Sequence, residues 1–143
     1  MIGRRELLVG TIGALLLATA SGAQQPATLS KLIPPYKGQG IIEVLPPQSS
    51  QQGNLLVTKI KVKNLSSGPL AGFTADEYWY SAKGETVSGS PTYRHTKPFM
   101  PNEIIEVTLK SPKNNEMNRV LRTFKHGNGT VKATQVAKFK ADS

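Results

Sequence analysis

Cysteine is missing from all 143 residues of the chain. That absence excludes a disulfide scaffold, a thiolate metal site, a cysteine nucleophile and the acylated cysteine of a bacterial lipoprotein. Histidine is nearly missing: His95 and His126 are the only two, next to Arg94 and Lys125. No HxxxH-type spacing joins them, and a metal site would need them to converge with Met100 or Met117. The expectation is two solvent-exposed histidines on a basic surface, with no metal and no cofactor. Acids are scarce, nine Asp and Glu against eighteen Lys and Arg, for a net charge of +9. Such an excess suits an anionic partner such as a lipid surface, a polysaccharide or a nucleic acid, and it serves plain solubility equally well. Nucleophile and phosphate motifs are lacking too. No serine sits in a GxSxG turn, and Gly127-Asn128-Gly129 lacks the lysine-serine pair and strand-to-helix context of a phosphate loop.

What is present begins with MIGRRELLVGTIGALLLATASGA, residues 1–23, which has the three parts of an export signal. Arg4 and Arg5 form a positive front, residues 7–20 carry no charge, and Ser21 and Ala23 put small residues before a cut after Ala23. The apolar run is shorter than the roughly 18–20 residues that cross a bilayer, which favours cleavage over a retained anchor. Losing Arg4, Arg5 and Glu6 takes the net charge from +9 to +8. Gly3-Arg4-Arg5-Glu6-Leu7-Leu8 also resembles a twin-arginine export signal, with Leu7 in place of the usual aromatic and no basic residue after Leu8. Either export route leads to a mature chain that is periplasmic or secreted, without a transmembrane segment.

Residues 24–40 hold Pro26, Pro34, Pro35, Gly38 and Gly40 and read as a linker or arm. From there on the period is two. Seven strands are predicted at 41–45, 55–64, 73–80, 85–87, 104–110, 119–125 and 131–139, with a weak, polar edge strand at 92–96, a polar turn at 48–54 and a loop at 111–118. Ile60 and Val62 alternate with Lys59, Lys61 and Lys63, as on a strand with one dry and one wet face. Gly127-Asn128-Gly129 suits a hairpin turn. One helical alternative exists, at 114–124, where Met117, Leu121 and Phe124 have helical spacing. About seven short strands at this spacing predict an all-β class and a single antiparallel, immunoglobulin-like β-sandwich over 41–140. The expected core is Ile42, Val44, Leu56, Ile60, Val62, Phe73, Trp79, Val107, Leu109, Val120, Phe124, Val131 and Phe139.

The stretch GFTADEYWYSAKGE, residues 72–85, concentrates four of the nine large aromatics beside Asp76 and Glu77. Two carboxyls across a substrate would make a hydrolase, and these are the best candidates with Glu85. Adjacent strand residues, however, point to opposite faces. The preferred reading is structural, with Trp79 in the core and Tyr78 and Tyr80 on the outer face or edge.

Val62-Lys63-Asn64, Tyr80-Ser81-Ala82-Lys83-Gly84-Glu85-Thr86-Val87 and Pro101-Asn102-Glu103 together give the chain a family likeness. It resembles the bacterial FxLYD-type family of small immunoglobulin-like sandwich domains over residues 57–109. The three segments look like that family's asparagine-bearing strand, its aromatic strand end with glycine turn and valine, and its proline-glycine-glutamate turn. Ser81 stands where the family usually has aspartate, and Asn102 where it usually has glycine. The resemblance implies an exported accessory domain with no catalytic residues.

Two functional readings lead. One is a non-enzymatic module that binds a protein partner or envelope component. The other is a salt-sensitive binder of anionic polymer (polysaccharide, lipid surface or nucleic acid) through lysine-rich strand faces. The candidate surface is Lys59, Lys61 and Lys63 on one strand, Lys132, Lys138 and Lys140 on the last strand, Lys125 before the hairpin, and Tyr78 and Tyr80 as stacking groups. Lysine on exposed strands also simply discourages edge pairing.

Overall fold

The alternating run at 55–64 becomes the hub of the fold. The computed structural model describes residues 34–141, so the expected signal peptide and residues 24–33 of the arm lie outside the described residues. Nine strands follow one another: β1 (Gly40–Val44), β2 (Gln48–Gln52), β3 (Leu55–Asn64), β4 (Thr74–Tyr80), β5 (Thr86–Gly89), β6 (Tyr93–Arg94), β7 (Ile104–Pro112), β8 (Arg119–His126) and β9 (Gly129–Gln135). No helix occurs among the described residues. At 114–117 the Asn114 side chain accepts from the Glu116 amide at 2.8 Å and the Met117 amide bonds back to the Asn114 carbonyl at 3.2 Å. A local asparagine turn therefore replaces the helical alternative.

β3 pairs antiparallel with β7 along its whole length, and its other edge is shared by β2 and β1. β1 then pairs with β9 in parallel, from Gly40 opposite Val131 to Val44 opposite Gln135. A second half is built on β4, which carries β8 on one edge and β5 and β6 on the other. β8 and β9 form one hairpin but pair only at Lys125–Thr130 and His126–Gly129, then diverge into the two halves. The result is one mixed sheet curled into a β-sandwich-like, all-β fold.

The class is as expected, and three details differ. β2 occupies the predicted polar turn: its five residues QSSQQ are all exposed and carry no apolar alternation, so only the Gly53 turn at φ 61° marks the hairpin. The β1–β9 pair is parallel, because the first and last strands run the same way beside each other. β9 stops at Gln135 rather than at residue 139.

Between the halves lie Ile42, Val44, Ile60, Val62, Phe73, Val107 and Leu109, as predicted, joined by Leu70, Ala75, Phe99 and Ile105. Each large side chain so buried contributes about 1.5–3 kcal/mol. Phe73 meets Phe99 edge-on at 5.1 Å and stacks on Phe124 at 6.0 Å. Leu70 and Phe99 come from loops, locked by reciprocal amide bonds of 2.9 and 3.0 Å, which no strand period announces. Leu56, Trp79, Phe124, Val131 and Phe139 are only half-buried, and Val120 is exposed. Val120, Phe124, Val131 and Phe139 lie on or after β8 and β9, where the halves separate.

Candidate functional site

β4 sorts the aromatic-acidic stretch by face. Phe73, Ala75 and Glu77 point inward, while Tyr78 is exposed. The Glu77 side chain is fully buried. Its Oε1 accepts from Ser111 Oγ at 2.6 Å and from Trp79 Nε1 at 3.2 Å, and its Oε2 accepts from Arg122 Nε at 2.7 Å. The carboxylate thus joins β4, β7 and β8 across the interior, and Trp79 spends its polar edge there. Asp76 faces the other way and accepts from the Thr92 hydroxyl. Glu85 is exposed at the turn. The three acids do not face one another across a common cleft.

Both histidines depart from the solvent-exposed expectation. His126 is buried: its Nε2 donates to the Gly38 carbonyl at 2.7 Å and its Nδ1 accepts from the Asn128 amide at 3.4 Å. It staples the β8–β9 turn to the chain entering β1. His95 is half-buried, its Nδ1 3.3 Å from the Tyr93 hydroxyl and its ring edge-on to Phe99 at 5.8 Å. Proximity to Arg94 and Lys125 misled because alternation sends those neighbours outward. Among the described residues no group of three or more His, Asp or Glu side chains is gathered to hold a metal ion.

The lysines divide. Lys59 and Lys61 are exposed on the outer face of β3. Lys63 is only 4% exposed, and its Nζ donates to the Lys140 carbonyl at 2.7 Å. The Lys140 amide in turn donates to Glu43 at 2.8 Å, so Lys63 and Glu43 together fasten the chain end across the sheet. The expected three-lysine stripe is therefore two exposed lysines and a tether. Lys132 is exposed on β9, on the outer face shared with Ile41 and the β3 lysines, because only β1 separates β3 from β9. Lys138 and Lys140 are exposed but follow the strand rather than sharing its face. Acids interrupt this field: Glu106 is the register partner of Lys61, and Glu43 of Lys63. A hollow of about 130 Å³ lies there, lined by Leu45, Pro46, Gln48, Lys59, Lys61 and Glu106.

Tyr78, Tyr80 and Lys125 lie on the other half of the sandwich. The structure thus sets the tyrosines apart from Lys59, Lys61 and Lys132. Their neighbours instead are residues not singled out as a surface: Tyr78 pairs with Leu121, Trp79 with Val120 and Tyr80 with Arg119. Tyr78 is 40% exposed and Leu121 47%. A hollow of about 370 Å³ is lined by Tyr80, Gly84, Arg119, Val120 and Leu121. One signal was available: adjacent Val120 and Leu121 on a strand cannot both face inward.

No family model matches the chain, and no curated protein matches it. Among solved structures it is similar to IrmA from Escherichia coli, at 10% identity and a TM-score of 0.48, over 73% of this chain and 98% of that one.

Proposed function

We propose that the protein is an exported, non-enzymatic module that binds a protein partner or another envelope component through the outer face of β4 and β8. The observation that carries this reading is the cross-strand pair of Tyr78 and Leu121, both exposed, with Arg119 and the Tyr80 hollow beside it. Tyrosine and arginine are among the side chains that carry most of the binding energy at protein interfaces, and Leu121 adds apolar area beside them. Glu77, the one fully buried acid among the described residues, has its oxygens engaged by Ser111, Trp79 and Arg122, an arrangement that suits support rather than proton transfer. The FxLYD-type resemblance supports the same role, and Asn102, at φ 67°, holds a turn conformation that glycine adopts readily. Capture of one envelope protein by the immobilised chain, retained at high salt and lost on replacing Tyr78 and Leu121 by alanine, is the expected result. Substrate turnover abolished by Asp76→Asn or Glu85→Gln would overturn the reading.

Lys59, Lys61 and Lys132 on one outer face favour a second reading, retention of an anionic polymer. Glu43 and Glu106 within that face weaken it. It requires affinity that falls steeply with salt.

A further inference from the structure

The β8–β9 hairpin leaves one side of the sandwich open. Beyond the two pairs at its turn, residues 119–124 of β8 pair with β4 on one edge and residues 131–135 of β9 pair with β1 on one edge. Among the described residues no strand takes the opposite edges, which face each other across the divergence. The interior confirms the gap. Ala133 and Gln135 share a face with Ile42 and Val44 by register, and those two are in the core, yet Ala133 and Gln135 are exposed. Val120, on the Phe124 side of β8, is 36% exposed from the other half. The second half thus leaves the inner face of β9 uncovered.

An open edge selects an extended backbone, because its free N–H and C=O groups are satisfied by another strand. Its side chains narrow the choice. The charged residues of β8 are Arg119, Arg122 and Lys125, and that of β9 is Lys132, with no acid in either strand. Arg122 is engaged by Glu77, while Arg119 and Lys125 stand exposed on either side of Leu121. A second copy fits poorly. An antiparallel self-pair centred on Arg122 sets Arg119 opposite Lys125 twice, and like charges directly opposite destabilise a sheet.

We propose that the open edge of β8 takes an extended acidic segment of a partner protein as an added strand. Apolar residues of that segment lie beside Val120 and Leu121, and its carboxylates lie beside Arg119 and Lys125. This deepens the binding-module reading and rests on it.

Labelled octapeptides of alternating valine and threonine test the proposal with the full chain. One set carries glutamates spaced to meet Arg119 and Lys125, a second carries lysines at those places, and a third is the acidic set N-methylated at alternate amides. Polarisation measures affinity, and amide hydrogen exchange locates the site. The acidic set is expected to bind at least about 10-fold more tightly than the lysine set, a difference of about 1.4 kcal/mol. It should protect β8 amides and lose binding on N-methylation. Equal binding of the methylated or lysine peptides, protection elsewhere, or no binding by any acidic peptide overturns the proposal. So does a concentration-dependent dimer protected at β8, which makes a second copy the occupant. Binding that appears only after residues before Pro34 are removed makes the chain's own segment the occupant, and overturns it too. If the peptides fail while the chain still captures one envelope protein at high salt, strand addition falls and the binding module stands.

Discussion

Glu77 and Arg122 meet at 2.7 Å inside the sandwich, the carboxylate fully buried and the guanidinium largely so. They are register partners on β4 and β8, so the ion pair lies across the same two strands that display Tyr78 and Leu121 on the opposite face. The interior clamp and the exposed patch are two sides of one ladder.

Removing one member of this pair leaves a buried charge without its partner. Glu77→Ala is expected to cost about 3–5 kcal/mol, read as a lower midpoint in denaturant unfolding. The joint replacement Glu77→Leu with Arg122→Leu should cost less than Glu77→Ala alone, since no orphaned charge remains. A Glu77→Ala midpoint equal to that of the unaltered chain would contradict the clamp.

Asn64 has a comparable structural role in the loops. Its Nδ2 donates to the Phe99 carbonyl at 2.8 Å and its Oδ1 accepts from the Ser66 amide at 2.8 Å, with the side chain buried. Asn64→Ala leaves the Ser66 amide without its acceptor and the Phe99 carbonyl with the Leu70 amide alone, and should destabilise by about 1–3 kcal/mol. Calorimetry or urea unfolding measures it, and Asn64→Asp should not restore stability, because aspartate cannot donate to Phe99.

The strand class was legible because Lys59, Ile60, Lys61 and Val62 alternate, and Ile105, Val107 and Leu109 do the same on β7. β2 was not legible, because five polar residues give no period and their pairing is fixed by β3 and the Gly53 turn. Leu70 and Phe99 were missed as core for the same reason: loop residues have no period, and their burial depends on the bridge between them. At the surface, each lysine and tyrosine could be assigned a face, but not a sheet neighbour. Lys63 reads as wet from its two-residue spacing to Lys61 and is buried because the chain end crosses over it. Leu121 gains its meaning only from standing opposite Tyr78, a pairing between residues 43 positions apart in the chain (121 − 78).

Gly129 tests the approach of the hairpin to the chain before β1. A Cβ at this position would lie 2.4 Å from the Gly38 carbonyl oxygen, a backbone atom that cannot turn aside. Gly129→Ala should therefore destabilise by about 1–3 kcal/mol. It should also speed amide exchange at Asn128, whose N–H meets His126 Nδ1 at 3.4 Å. Normal stability and exchange would show that the turn relaxes freely.

Tyr93 gives a pH dependence. Burial, and then the nearby Glu103 carboxylate, hold its phenol above the ordinary tyrosine value. The folded state therefore keeps this proton after the unfolded chain has lost it. The contribution is complete below about pH 10 and is lost as pH rises through the raised folded value. In an ultraviolet titration Tyr93 should ionise late, and Tyr93→Phe should remove that late phase and flatten the alkaline loss of stability. A late phase that survives Tyr93→Phe would contradict this assignment.

The central claim is that the β4–β8 outer face, rather than the lysine face, holds the partner. The direct measurement is quantitative capture from envelope extract, at low and high salt, by three forms of the chain. These are the unaltered protein, the Tyr78→Ala, Leu121→Ala double variant, and the Lys59→Ala, Lys61→Ala, Lys132→Ala triple variant, each checked for unchanged unfolding. The account predicts that one protein is retained at high salt by the unaltered chain and by the triple lysine variant and is lost from the double variant. Retention by the double variant, with loss in the lysine variant and in high salt, would contradict it and assign binding to the basic face.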